Sequence, residues 1–90
     1  MQQTEEMQPE EVRLPKLHDD MSEAKIVFWF FKKGEVVYPK QLLVRVETNR
    51  AFVDITSPAS TPRRILRVEA KVGQVLNVGG LLAVLGSADS

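Results

Sequence analysis

The chain has no cysteine, one histidine, one tryptophan and one tyrosine among its 90 residues. Without thiols, disulfides and thiolate metal sites are excluded, and a single imidazole, His18, cannot build a metal cluster alone. No apolar run approaches the roughly 18 residues of a membrane-spanning helix. Met1 to Glu11 has neither a basic start nor an apolar centre, so no secretory signal is read there. The default expectation is a cytoplasmic location, or the mitochondrial matrix in a eukaryote, with no membrane partner. A sustained helical period is missing too, so little helix is expected. No nucleophile, base and orienting group fall together, which argues against an enzyme with its own active site.

What remains suits one small globular domain. Apolar residues make up 43% of the chain and charged residues 27%, a composition that folds rather than staying disordered. The net charge is zero, but it is unevenly spread. Residues 1–23 carry seven acids against Arg13 and Lys16, and residues 24–90 carry ten bases against five acids. The bases are scattered and lack the interleaved exposed aromatics of nucleic-acid modules, so no nucleic-acid partner is expected. Residues 1–10 are polar, acidic and without hydrophobic period, which predicts a flexible tail; residues 11–87 form the domain, and 88–90 fray.

Between the ends the chain reads as strands. Val12-Arg13-Leu14 opens a short one, confined to an edge or an end by Pro15. His18 to Ala24 reads as a loop. Lys25 to Phe31 is an apolar run closed by a turn at Lys33-Gly34. Leu42, Val44 and Val46 alternate with Leu43, Arg45 and Glu47, and Ala51, Val53 and Ile55 alternate with Phe52, Asp54 and Thr56. Both have the period of half-buried strands. Thr48-Asn49-Arg50 between them makes a β-hairpin with its tip at Asn49-Arg50, where Asn tolerates left-handed backbone. Ser57 to Pro62 is a loop, Ile65 to Val68 a strand, Val72-Gly73 a turn and Leu81 to Leu85 the last strand. The cluster Phe28, Trp29, Phe30 and Phe31 reads mainly as core. Alternation leaves one or two of these at the surface.

The chain also repeats itself. A shift of 39 residues sets Ile26 on Ile65, Lys32 on Lys71, Gly34 on Gly73, Val36 on Val75, Leu42 on Leu81 and Leu43 on Leu82 without a gap. Each half reads as a strand, a glycine turn, a short segment beginning with a buried valine, and another strand. Neither half can bury its apolar face alone. Two facing halves can, as an all-β sandwich or flattened barrel with pseudo-twofold symmetry. The link between them carries the hairpin tip out from one end, and a protruding turn on a rigid scaffold is where function usually sits.

These residues resemble the lipoyl branch of the biotinyl/lipoyl carrier family. Leu14-Pro15-Lys16-Leu17 with Met21 and Glu23 is similar to the opening of lipoyl domains. Lys32-Lys33-Gly34-Glu35-Val36-Val37 resembles their first glycine turn. Glu47-Thr48-Asn49-Arg50-Ala51 resembles the hairpin phrase Glu-Thr-Asp-Lys-Ala, and Gly73-Gln74-Val75 with Leu81 to Leu85 resembles the second half. The likeness runs from about Glu11 to Gly86. It implies two four-stranded antiparallel sheets in a flattened barrel. It also implies a hairpin lysine that carries lipoate between the active sites of a 2-oxoacid dehydrogenase complex, with enzymes of that complex as protein partners and a monomeric isolated domain. Glu47, Thr48, Asn49 and Ala51 become the recognition residues of the hairpin, and His18, Asp19, Asp20 and Met21 the adjacent surface loop.

Two departures stand out. Arg50 occupies the lysine position, and a guanidinium stays protonated and is a poor nucleophile, so no cofactor is expected on the chain as written. The loop Ala59-Ser60-Thr61-Pro62 also lacks the family's glycine. Arg50 is then a replaced lysine, the tip of a carrier-like domain that has lost its prosthetic group and binds partners as a scaffold module, or a solvated turn residue.

Overall fold

Alternation along the chain resolves into eight strands in the computed structural model, which describes residues 9–89. They are β1 (Glu10–Arg13), β2 (Glu23–Trp29), β3 (Val36–Val37), β4 (Leu42–Glu47), β5 (Phe52–Thr56), β6 (Arg63–Val68), β7 (Val75–Asn77) and β8 (Leu81–Ser87). No helix occurs among the described residues. The strands form two four-stranded antiparallel sheets, ordered β1-β8-β6-β3 and β5-β4-β2-β7. Each pairs only within its own sheet, so the result is a sandwich and not a closed barrel. The expected tail falls mostly on residues 1–8, which with Ser90 lie outside the described residues.

The core lies between the sheets. Its fully buried large side chains are Leu14, Met21, Ile26, Leu43, Ile65, Leu82 and Leu85, with Val37, Val44 and Val46. Burying one such side chain contributes about 1.5–3 kcal/mol, so inward alternation on both sheets holds a small domain together. Trp29 and Phe31 pack against this core, and Trp29 Nε1 donates to the Ala70 carbonyl at 2.8 Å. Phe28 is exposed, as the alternation requires of part of the aromatic run.

The 39-residue repeat is expressed atom by atom. Gly34 N donates to Ile65 O and Gly73 N donates to Ile26 O, both at 2.8 Å. Ile65 N donates to Glu35 O at 2.9 Å, and Ile26 N to Gln74 O at 2.8 Å. The Glu35 side chain accepts from Lys32 N, and that of Gln74 from Lys71 N. Gly34 and Gly73 share φ +93°, a conformation that L side chains avoid. The β-bulges match as well, at Ile26/Phe28 against β4 and at Ile65/Arg67 against β8. The short strand of each half pairs with the other half's sheet: β3 joins β6, and β7 joins β2.

Three expectations need correction. The buried residues of the short segments are Val37 and, partly, Leu76, one place later than Val36 and Val75. Val75 is 52% exposed, because the residue that follows the glycine turn points outward before alternation begins. The strand expected over Lys25–Phe31 spans Glu23–Trp29; the bulge at Ile26/Phe28 turns the chain so that Phe30 keeps only an isolated bond to Leu43 O. Left-handed backbone falls not on Asn49 but on Lys40 (φ +71°). Lys40 is the repeat partner of Gly79 (φ +91°), so a lysine fills a glycine's place in the first half.

Candidate functional site: the β4–β5 hairpin and its neighbouring loop

Strands β4 and β5 pair from Leu42↔Thr56 to Glu47↔Phe52, which projects Thr48 to Ala51 beyond the sheet. Asn49, Arg50 and Ala51 are exposed there. The turn is closed mainly by one hydroxyl. Thr48 Oγ1 accepts from Arg50 N and from Ala51 N at 3.1 Å each, and lies 3.0 Å from the Ala51 carbonyl. Thr48 N also donates to Ala51 O at 2.9 Å. A threonine in this place substitutes a side-chain oxygen for the backbone acceptor of an ordinary turn. Asn49 and Arg50 therefore need no left-handed backbone.

Thr48 is consequently a support of the turn and not one of its exposed residues. It is buried at 9% exposure, under the imidazole of His18, whose Nε2 lies 3.2 Å from Thr48 Oγ1. The other ring nitrogen, Nδ1, is 2.7 Å from Asp20 Oδ1. That same oxygen is 3.2 Å from Arg50 Nε. One carboxylate oxygen thus bridges the loop histidine and the tip arginine. The hydrogen bond from His18, then the charge of Arg50, hold the Asp20 carboxyl below the usual carboxylate range against the opposing effect of its own desolvation.

The loop His18 to Met21 does lie beside the hairpin, and it divides by exposure. Asp19 and Asp20 are exposed and His18 is half-buried, but Met21, expected on the surface, is 2% exposed and in the core. Its sulfur accepts from Leu17 N at 3.2 Å, and Met21 N donates to His18 O at 3.2 Å. Met21 is the anchor that folds the loop back against the hairpin. A single large apolar residue following three polar ones is the sequence signal for this.

Beside the tip a shallow groove of about 310 Å³ is lined by Asp20, Ser22, Glu23, Lys25, Glu47 and Asn49, among others. Lys25 stands opposite Glu47 across β2 and β4. The outer face of the same sheet continues below it with Arg45, which pairs with Asp54 through Nε–Oδ1 at 2.7 Å and Nη2–Oδ2 at 3.1 Å. This pairing lowers the Asp54 pKa and raises that of Arg45. Arg45 also lies 5.5 Å from the centre of the Phe30 ring, and Phe28 meets Phe30 edge to face at 5.1 Å. Sequence reasoning missed the site contributions of Lys25 and Arg45. Their outward places in the strand alternation were the signal.

The model of a family described as "Biotin-requiring enzyme" matches residues 10–85. The chain is 33% identical over 75 residues, 83% of its length, to the dihydrolipoyllysine-residue succinyltransferase component of the 2-oxoglutarate dehydrogenase complex of Bartonella vinsonii subsp. berkhoffii. It is 31% identical over 78 residues, 87% of its length, to the dihydrolipoyllysine-residue acetyltransferase component of the pyruvate dehydrogenase complex of Corynebacterium glutamicum. It is 35% identical over 71 residues, 79% of its length, to the lipoamide acyltransferase component of the branched-chain alpha-keto acid dehydrogenase complex of Pseudomonas aeruginosa. The matched region is 18%, 11% and 16% of those relatives respectively.

Proposed function

This chain belongs to the biotin- and lipoyl-carrier family, and we propose that within it the chain is a non-catalytic carrier-type domain of a 2-oxoacid dehydrogenase acyltransferase system that does not take up lipoate. The observation that carries this reading is the residue at the exposed hairpin tip. The family holds its cofactor on a lysine, and the tip here presents Arg50, with 61% of its side chain exposed. Amide formation requires an amine that loses a proton and attacks an activated acyl group; a guanidinium keeps its proton and spreads its electron pair over three nitrogens. The residues present at the tip do not fit a covalently attached lipoyl or biotinyl group.

What the residues are suited to is presentation. Thr48 fixes the turn, His18 and Asp20 brace it, and Arg50 offers a planar cation matched to a carboxylate. The partners by this reading are proteins of the complex, met through Glu47, Asn49, Arg50 and Ala51 on the hairpin and Asp19 and Asp20 on the loop. A second reading, a cofactor-free interaction module that kept the fold, is favoured by the Arg50–Asp20 contact at 3.2 Å. That contact ties the tip to the loop as one docking surface.

Intact mass after incubation with a lipoate ligase, lipoate and ATP tests the proposal. The chain is expected to gain nothing, and Arg50→Lys to gain one lipoyl group. Acylation of the unaltered chain would overturn the reading. Arg50→Ala then separates the two partner readings: retained capture of a complex enzyme removes Arg50 from the docking surface.

A further inference from the structure

The internal repeat supplies a control for every surface residue, because the same backbone frame occurs twice with different side chains. On the outer face of the hairpin-bearing sheet stand Phe28, Phe30 and Phe52; Phe28 is 51% exposed and Phe52 62%. The repeat partners of Phe28 and Phe30 are Arg67 and Glu69, which pair with each other at 2.6 Å. The partner of Phe52, counted through the matching registers of β5 on β4 and β1 on β8, is Pro9. The frame is therefore satisfied by charged residues at the places of Phe28 and Phe30. Two largely exposed phenylalanines on only one of the two sheets are not a requirement of the fold, and aromatic residues set among charges, arginine included, are the composition of a non-obligate protein interface.

The registers show what fits it. Across the strand order β5-β4-β2-β7, the outward residues nearest the tip form the row Phe52, Glu47, Lys25, Val75. The next row is Asp54, Arg45, Phe28. A twofold axis parallel to the strands, lying in the plane of contact, reverses each row and keeps its height. Phe52 then meets Val75 of a second copy, Glu47 meets Lys25 of the second copy, and Arg45 meets the Phe28 ring of the second copy. Every contact occurs twice, as a closed twofold interface demands. Both hairpin tips point the same way, so Asn49, Arg50 and Ala51 stay uncovered, while Glu47 is shared between this face and the tip.

We infer that this sheet face is a self-association surface whose occupant is a second copy of the same chain. Four strands about 4.8 Å apart and two rows about 6.8 Å apart cover roughly 260 Å² per copy. This is about a third of the roughly 800 Å² per partner of a stable complex. The pairing is accordingly weak, with a dissociation constant of about 1 mM, and the isolated domain is monomeric well below that. It becomes populated where copies are held at high local concentration.

Sedimentation equilibrium of the 90-residue chain from about 0.02 to 2 mM, spanning the expected dissociation constant, tests this. The weight-average mass is expected to rise above the 10.1 kDa of the monomer toward twice that value. Lys25→Glu and Glu47→Lys each set like charges against each other and are expected to weaken association at least about tenfold. The double exchange restores the pairing to within about threefold. Phe28→Arg installs the residue that the repeat uses at the same place, and is expected to abolish association while the chain keeps a cooperative melting transition, lowered by loss of the Phe28–Phe30 contact. A mass that stays at 10.1 kDa throughout, association indifferent to the single charge reversals, or concentration-dependent amide shifts at Arg64 and Arg67 instead of Phe28 and Phe52 would each overturn the inference. So would a monomeric chain whose Phe28 and Phe52 amides move only on addition of an enzyme of the complex, which would assign the face to a different partner.

Discussion

Replacing Thr48 by valine removes one oxygen atom and keeps the shape of the side chain, which makes it a sharp test of how the hairpin is held. In the native turn that oxygen accepts from Arg50 N and Ala51 N at 3.1 Å and lies 3.0 Å from Ala51 O. A satisfied hydrogen bond contributes about 0.5–1.5 kcal/mol net, and a buried group that loses its partner costs about 1–3. Arg50 and Ala51 are exposed, so water recovers much of what their amides lose. The loss expected for Thr48→Val is therefore about 1–2 kcal/mol, or roughly 4–15 °C in Tm for a domain of this size. Thr48→Ser keeps the oxygen and removes one methyl group, at about 0.8 kcal/mol for the lost burial. Thermal unfolding measures the totals, and amide exchange locates them. In Thr48→Val the Arg50 and Ala51 amides should exchange about tenfold faster, as 1.4 kcal/mol of lost protection requires, while Val46 follows global stability. Unchanged exchange at those two amides, or a serine variant that loses more than the valine variant, would refute the account of the turn.

Three further outcomes follow from the geometry. Gly34→Ala and Gly73→Ala each force a side chain to φ +93° with nothing within 4 Å of the new Cβ. Each should cost about 1 kcal/mol of backbone strain, with equal and additive effects in denaturant titrations; a large inequality would contradict the equivalence of the two turns. Trp29→Phe leaves the Ala70 carbonyl, in a residue with 0% exposure, without its 2.8 Å donor and should cost about 1–3 kcal/mol in equilibrium unfolding. Asp20 and Asp54 have folded pKa values below their ordinary ones, so their contribution is whole above the unfolded value near about 4 and disappears as pH falls through the folded values. Asp54→Asn should flatten the fall in stability over that acid range, and an unchanged slope would show that the Arg45 pair carries none of it.

Much of this could be read from the residues, and the misreadings share a cause. The long strands, the glycine turns and the hairpin follow from period-two alternation and the 39-residue repeat, both properties of residue order. Val75 and Met21 depart from the pattern because their exposure depends on where a turn releases the chain: the residue after Gln74 faces out, and the loop after His18 dips inward on its only large apolar side chain. Thr48 and Asn49 show the limit at the tip. Composition favours Asn as the turn-maker, yet a hydroxyl one position earlier takes over the backbone's hydrogen bonds, and only coordinates show which of two adjacent polar residues does so. The network of His18, Asp20 and Arg50 joins residues about thirty apart, which no local pattern reports. Glu47 sits on the outer face, where the alternation puts it, whereas Ala51, grouped by alternation with Val53 and Ile55, lies before β5 in the exposed turn with Asn49.

The exchange of short strands between the halves has a topological consequence. Because β3 completes the sheet of the second half and β7 that of the first, no plane divides the domain into two self-contained lobes. Cleaving the backbone within the loop 57–62 would leave two peptides that are subunits of each other, each unfolded alone and each the template on which the other folds. The covalent link there sets the encounter rate of the halves, while the interdigitated strands set whether they stay together.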